Sequence, residues 1–518
     1  MMNKTKRISF FHTSDTHGYL NEISYQTGKT VDYGLSRVAS YVKRERTINT
    51  ILIDTGDTIQ GSPLMYFYKS NFEKYNNPVA EVMNNMNYDY LVPGNHDFNY
   101  GREFFSDFIE NSNANFLCGN ILKDDKPLVG KEYEVIEFEE GLKVAVIGIT
   151  TNFIPIWEKK EHIDDLVFIN AFEKTKEIVN KIKIDPSIKL IVLGYHGGFE
   201  RDLDSYEIES MSTENLGMKM FLEIPEIDII LSGHQHRIIN KSVNGRILMQ
   251  PGANAKFLSR VDIDFEFDNE WNKKEIKSSL IDCGTEIPDP EITSKLSKII
   301  FDNNIFLDEI IGVNKDNDLE ITNQLDARLN KHKIVDLINT IQLESSGAQI
   351  SCMALGNSST GFKEEISIRD VLNTYVYPNT LAVVEIDGVN LRAALEKNAN
   401  FFVIQDNEVK INPAYKAPKL EYYNYDMFSG IDYTIDLKND FGNRITKLEY
   451  NGQQINDSDK FSLVMSSYRF SGGGEFYMYE GLKVIKEIPL DISELIIDYI
   501  KKTREIKVKE EKNNIVKY

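Results

Sequence analysis

Asn95, His96 and Asp97 set an amide, an imidazole and a carboxylate side by side. Residues 88–92 upstream read as a short apolar strand, and Pro93-Gly94 breaks it, which predicts a loop at the strand's carboxyl end. Open α/β sheets gather their ligands there. Alone, the trio reads equally well as a polar turn with an exposed histidine, because short motifs match by chance. The rest of the chain weighs against that reading.

The same arrangement recurs four times. Residues 8–12 are an apolar run entering Thr13-Ser14-Asp15-Thr16-His17-Gly18, where Asp15 and His17 share a face if the segment is extended. Residues 50–53 run into Asp54-Thr55-Gly56-Asp57, residues 190–193 into Gly194-Tyr195-His196, and residues 227–231 into Ser232-Gly233-His234-Gln235-His236. Five of the eight histidines fall in these loops, which scattered surface histidines would not do. Oxygen and nitrogen donors without sulfur suit Mn, Zn, Fe, Co or Ni. Their number suggests two divalent ions, and Asp57 is the natural bridge because each of its oxygens can face one cation. Asp54 reads instead as a structural carboxylate at a strand end, His12 and His162 as packing or surface residues, and Tyr195 as cover for the sheet edge.

The intervening segments must position these loops. Helical spacing of apolar residues over 33–47, 79–86, from 102, and over 171–182 alternates with the strands, which predicts an α/β domain of layered sheet and helix. A hairpin is expected at 133–138 and 143–149, and strands at 246–249, 259–265 and 275–281 close the domain near residue 286. Ile287-Pro288-Asp289-Pro290 then leads into a helical stretch, 291–304, read as part of a connector over 287–319. A second domain, 320–518, begins with a helix at 333–343 and has more scattered strands. At 518 residues the chain exceeds what one hydrophobic core serves, so two large domains are expected.

A formal net charge of -21 argues against binding DNA or RNA polymers, which takes a basic surface. Small phosphate esters stay open to a site that supplies its own cations. Cys118, Cys283 and Cys352 are too few and too far apart for a disulfide framework or a thiolate metal site, which fits a reducing compartment. No apolar run is long enough for a membrane span, and the basic N-terminus lacks the apolar stretch of an export signal, so a cytoplasmic location is expected. No membrane or protein partner is indicated.

Asp-x-His, Gly-Asp, Gly-Asn-His-Asp, a later His and Gly-His-x-His, in this order over residues 8–236, resemble the dinuclear metallophosphoesterases of the calcineurin-like superfamily. The resemblance implies a four-layer α/β/β/α domain. It implies that Asp15, His17, Asp57 and His236 hold a first metal, and Asp57, Asn95, His196 and His234 a second. It also implies that His96 is no ligand but stabilises or protonates the leaving group, oriented by Asp97. Two cations of this kind clamp a phosphoryl group and stabilise in-line attack.

The second half resembles the C-terminal α+β substrate-binding domain of the 5'-nucleotidase family. Residues 376–381, 423–430 and 468–474, with 151–158 of the first half, look more like the bacterial 2',3'-cyclic-nucleotide 2'-phosphodiesterase/3'-nucleotidases than the 5'-nucleotidase branch. Where that branch has Gly-Gly-Ile-Arg, this chain reads Ala354-Leu355-Gly356-Asn357-Ser358-Ser359. The family holds a base between two aromatic rings, which implies Tyr468 as one and Tyr425 or Phe428 as the other. Gly473 could let backbone approach the ligand. The expected activity is hydrolysis of 2',3'-cyclic nucleotides to 3'-nucleotides and on to nucleosides. A 5'-nucleotidase or nucleotide-sugar hydrolase is the alternative within the class, and a metal-free binding scaffold the alternative outside it.

Overall fold

Nearly unbroken apolar runs such as Leu142–Thr150 form strands buried on both faces. In the computed structural model, which describes residues 4–209, 213–375, 379–416 and 420–518, these runs build two sheets in the first of two units. The units are Met1–Asn303 and Asn304–Tyr518. Among the described residues, one six-stranded sheet has the order Glu270–Asp282, Phe257–Asp268, Lys4–Thr13, Thr50–Asp54, Tyr90–Leu91, Asn115–Phe116. The other has the order Ile238–Val243, Arg246–Pro251, Ile229–Ser232, Ile188–His196, Leu142–Thr150, Tyr133–Phe138.

The alternation of side chains explains the layers. Val144, Val146, Val192 and Leu231 lie in one core with Phe10, Ile53 and Val92 of the first sheet. Ala145, Ile147, Ile149 and Leu193 belong to another, closed by Ile178, Val179 and Met220 from the helices Ala171–Ile182 and Gly217–Glu223. Asn170 starts the first of these helices by accepting the Phe172 and Glu173 amides at 3.1 and 3.2 Å. On the far side, Phe11 meets Tyr41 of the helix Leu35–Glu45 with ring centroids 5.8 Å apart. The result is the expected helix, sheet, sheet, helix stack.

Strand direction gathers the loops at one edge. Lys4–Thr13, Thr50–Asp54 and Tyr90–Leu91 are parallel, with Thr13 beside Asp54 and Asp54 beside Leu91. In the other sheet Ile188–His196 and Ile229–Ser232 are parallel, with Tyr195 beside Ser232. Each of the five motif loops leaves the carboxyl end of one of these strands.

The helix Pro290–Leu307 spans the division between the units, and Ile310–Asn314 pairs with Glu365–Ser367 and Glu505–Ile506. In the second unit a five-stranded sheet has the order Asp426–Ser429, Ile350–Ala354, Lys460–Ser466, Leu381–Asp387, Lys483–Ile488. The helix Lys333–Ser346 packs on it and ends at Gly347, whose φ of 72° suits a residue without Cβ. The three cysteines are buried free thiols. Among the described residues no helix is long and apolar enough to cross a membrane.

Candidate metal centre and active site

Two glycines let the central loops touch. A Cβ on Gly94 would lie 2.1 Å from the Asp57 amide nitrogen and 2.2 Å from its Oδ1, and one on Gly56 would lie 2.3 Å from the Gly94 nitrogen. Only glycine permits that approach. Beyond them, Asp15, His17, Asp57, His234 and His236 have φ of 52°, 49°, 56°, 74° and 55°. Left-handed backbone costs a non-glycine residue of order 1–3 kcal/mol and persists where the surrounding structure imposes it. Here it sits on five of the seven predicted metal ligands.

The structure brings those ligands into two groups. Asp15, His17 and His236 form one, and Asp57, His196 and His234 the other, with donor atoms inside each group within 4.8 Å of one another. Asn95 joins the second, its Oδ1 2.9 Å from His196 Nε2. His17 Nδ1 is 2.7 Å from the Gln60 carbonyl and His196 Nδ1 is 2.6 Å from the Thr55 carbonyl. A carbonyl only accepts, so each Nδ1 donates and the neutral ring turns a bare Nε2 to its neighbours. His17 Nε2 then faces His236 Nε2 at 3.0 Å, and His196 Nε2 faces Asp57 Oδ2 at 3.2 Å. Lone pairs so arranged, on a set of nitrogen and oxygen donors, fit divalent cations.

The electrostatics agree. Burial alone would raise Asp57, yet His196, His96 and His17 around it hold its carboxyl well below the ordinary range. Burial opposes charge on His196, but the Asp57 carboxylate outweighs it and lifts the imidazole to about 9. That field demands positive charge at Nε2, which a cation meets as well as a proton. Burial and the His236 charge lower His17 to about 4, so it keeps a lone pair at neutral pH. Asp54 is raised to about 7 by burial, and Thr13 and Thr58 hydroxyls bond it, in keeping with a structural carboxylate.

One predicted relationship is corrected. Asp97 does not orient His96: its carboxylate accepts the amides of Gly94, Thr58, Ile59 and Asp57 at 2.7, 2.8, 3.0 and 3.2 Å. It ties the Asn95 loop to the Asp57 loop instead. The ring partner of His96 is Asn99, Oδ1 to Nδ1 2.7 Å, and Asn99 Nδ2 donates to Glu158 at 2.7 Å. Residues His96–Phe98 form a 3-10 turn, in which positions three apart share a side and adjacent ones do not. That spacing was the available signal for Asn99. Glu214, 2.7 Å from His234 Nε2, had no signal in its own segment.

In the second unit two further expectations are corrected. Tyr425 and Phe428 are fully buried, Tyr425 between Phe401 and Phe402 with centroids 5.0 and 4.9 Å away, so neither presents a face to a ligand. Tyr468 is 40% exposed, and its aromatic neighbour is the half-buried Tyr423, centroids 6.1 Å apart at 75°. Buried Arg469 staples their two segments, donating to the Tyr423 carbonyl at 3.0 Å, to Asp426 Oδ1 at 3.0 Å and to the Gly473 carbonyl at 2.5 Å. A Cβ on Gly473 would lie 2.6 Å from the Tyr468 ring, so the tyrosine itself fills the space the missing side chain leaves. Residues 376–378 of the first resembling segment lie outside the described residues. Beside 354–359, the fully buried Arg328 donates to the Leu355 and Gly356 carbonyls at 2.8 Å each.

Residues 8–237 match the calcineurin-like phosphoesterase family, and residues 310–481 match the 5'-nucleotidase C-terminal domain. The trifunctional nucleotide phosphoesterase protein of Bacillus subtilis is 25% identical over 98% of this chain, which spans 38% of that protein's length. The 2',3'-cyclic-nucleotide 2'-phosphodiesterase/3'-nucleotidase of Haemophilus influenzae is 25% identical over 95% of this chain and 84% of its own. Among solved structures, a candidate 5'-nucleotidase from Staphylococcus aureus in complex with alpha-ketoglutarate shares 29% identity, covers 99% of this chain and 100% of its own, and has a TM-score of 0.73. The fold of the NAD nucleotidase of H. influenzae covers 99% of each chain with a TM-score of 0.66 at 16% identity. The calcineurin-like phosphoesterase fold implies divalent metal ions, for which the two ligand groups are the candidates. This chain is a two-domain member of the 5'-nucleotidase family, a calcineurin-like phosphoesterase domain followed by a 5'-nucleotidase C-terminal domain.

Proposed function

We propose that the protein is a metal-dependent nucleotide phosphohydrolase that converts 2',3'-cyclic nucleotides to 3'-nucleotides and these to nucleosides and phosphate. The observation that carries the hydrolase reading is the pair of donor groups whose bare imidazole nitrogens face carboxylate and amide oxygens. Asp15, His17, Asp57 and His236 would hold one cation, and Asp57, Asn95, His196 and His234 the other. When bound, such a pair draws charge from the phosphoryl oxygens and activates water.

His96 is the group left to handle the leaving oxygen. Its Nδ1 is engaged by Asn99, so Nε2 is the nitrogen that passes a proton. In the first step water adds to phosphorus, the bond to the 2' oxygen breaks, and that oxygen takes the proton. In the second, water adds again, the bond to the 3' oxygen breaks, and nucleoside and phosphate leave. Among the described residues, Tyr468 and Tyr423 are the neighbouring pair of rings that a base would meet in this reading. The choice of the cyclic and 3' esters over 5' esters is supported by the motifs of the second domain, by the lack of an arginine at 354–359 and by the cyclic-nucleotide relatives.

Comparison of kcat/KM for 2',3'-cyclic AMP, 3'-AMP and 5'-AMP, each with Mn, Zn, Co, Ni and Fe, tests the reading. The cyclic diester and 3'-AMP should be preferred. Preference for 5'-AMP with the diester intact would select the 5'-nucleotidase alternative, and purified protein with neither stoichiometric metal nor activity would select the scaffold.

A further inference from the structure

Segment 151–158 carries a resemblance but no part of the chemistry so far, and it ends on a buried carboxylate. Glu158 stands between the single-turn helices Ile154–Trp157 and Lys160–Ile163, its side chain 1% exposed. Its Oε2 accepts Asn99 Nδ2 at 2.7 Å, while Oε1 accepts the Lys159 amide at 2.7 Å and lies 2.8 Å from His162 Nδ1. Asn99, itself buried, passes the contact on to His96 through the 2.7 Å bond from its Oδ1 to Nδ1.

We infer that Glu158 is a positioning residue that fixes, through Asn99, which nitrogen of His96 carries the hydrogen. The inference rests on the hydrolase reading above, since it concerns the proton that His96 handles. An ionised carboxylate can only accept, so Asn99 must turn its NH2 toward Glu158 and its oxygen toward His96. The oxygen in turn accepts only from an N–H, so His96 keeps a hydrogen on Nδ1 throughout, and the proton it passes to the leaving oxygen is a second one, carried on Nε2. A reversed amide at Asn99 would face Nδ1 with a donor, so the ring could not keep a hydrogen there while Nε2 gave one up. The fixed sign at one end of the chain, a negative charge, thereby selects the state of the ring at the other.

The polarity can be broken and rebuilt. In Glu158→Gln the Lys159 amide still needs an acceptor, so the new oxygen takes the Oε1 position and the new NH2 faces Asn99, which must reverse. Adding Asn99→Asp supplies a carboxylate that accepts both His96 Nδ1–H and the new NH2, restoring the original tautomer. The readout is the ratio of kcat for the adenosine ester that the wild-type protein cleaves fastest to kcat for p-nitrophenyl phosphate. The nitrophenolate departs with little need of a proton.

Glu158→Gln should lower that ratio roughly 10-fold or more, as loss of outer partners of a catalytic site does, with metal content unchanged. The double variant should restore most of it. Equal loss on both esters, no change in the ratio, or failure of the double variant to recover overturns the inference. Should Glu158→Gln not accumulate folded, Asn99→Leu cuts the same chain from its other side, and equal loss on both esters there overturns it too. A wild-type protein that cleaves none of the esters overturns the hydrolase reading and the inference with it. Nucleotide cleavage indifferent to Glu158 overturns the inference alone.

Discussion

Asn95 Oδ1 stands 2.9 Å from His196 Nε2, while the other nitrogen of that ring is committed to the Thr55 carbonyl. Two acceptors held face to face in a buried site are stable only with a positive charge between them, and Asp57 Oδ2, 3.2 Å from the same nitrogen, adds a third. Asp57→Ala should therefore empty at least one metal position and abolish hydrolysis. Metal analysis of the purified variant checks this, and two tightly retained ions would remove Asp57 as the bridge.

His96 and Asp97, though adjacent, should give opposite phenotypes. His96→Asn should leave metal content near wild type and slow turnover about 10²- to 10⁴-fold, the usual worth of a general acid. Asp97→Asn leaves one acceptor oxygen where four backbone amides had two, and should cost about 1–3 kcal/mol of stability together with metal affinity, because the tie between the Asn95 and Asp57 loops loosens. Thermal melts and metal titrations of the pair distinguish the roles. Equal metal loss in both would mean that His96 is a ligand.

Burial lowers His12 to about 3, and its Nε2 bonds the Thr55 hydroxyl at 2.8 Å. The sign follows from which state binds the proton. Below the ordinary histidine value of about 6.5 the unfolded chain takes up a proton that the folded chain refuses down to about 3. The contribution to stability is thus full above that ordinary value and is lost progressively as pH falls between the two. Over the step from pH 6.5 to 5 the loss is of order 2 kcal/mol at a single site. His12→Gln keeps a polar contact without the titration, so its Tm should fall less than that of wild type between pH 7 and pH 5. Parallel curves would show that His12 is not the group responsible.

The gathering of the candidate ligands into two groups was legible because each follows an apolar run at a strand's carboxyl end, and parallel strands bring such ends together without further information. The helix Ala171–Ile182 was legible from its apolar spacing, and the structure adds the Asn170 cap that starts it. The partner of His96 was not. Adjacency in the chain suggested Asp97, but the 3-10 turn sends neighbouring side chains apart, and Glu158 reaches the site from about sixty residues away. The assignments of Tyr425 and Phe428 failed for another reason: both rings are fully buried, Phe428 within the buried strand Asp426–Ser429, and composition alone could not tell a ring that presents a face from one that fills the core.

Tyr468 and Tyr425 should separate binding from folding. Tyr468 is 40% exposed on a short helix, Ser467–Phe470, whereas Tyr425 fills the core beside Phe401 and Phe402. Tyr468→Ala should change stability by less than about 1 kcal/mol and raise KM for the nucleotide far more than for p-nitrophenyl phosphate, which has no base to stack. A stacked base is worth about 1–3 kcal/mol, or roughly 5- to 150-fold in KM. Tyr425→Ala opens a cavity and should cost about 3–5 kcal/mol, with KM for both substrates little changed in the fraction that stays folded. Tyr423→Ala should follow Tyr468 if the two rings act on one ligand. Thermal melts with KM for both substrates decide the matter, and a Tyr468 variant that weakens both substrates equally would place that ring in the structure of the loop rather than in recognition of the base.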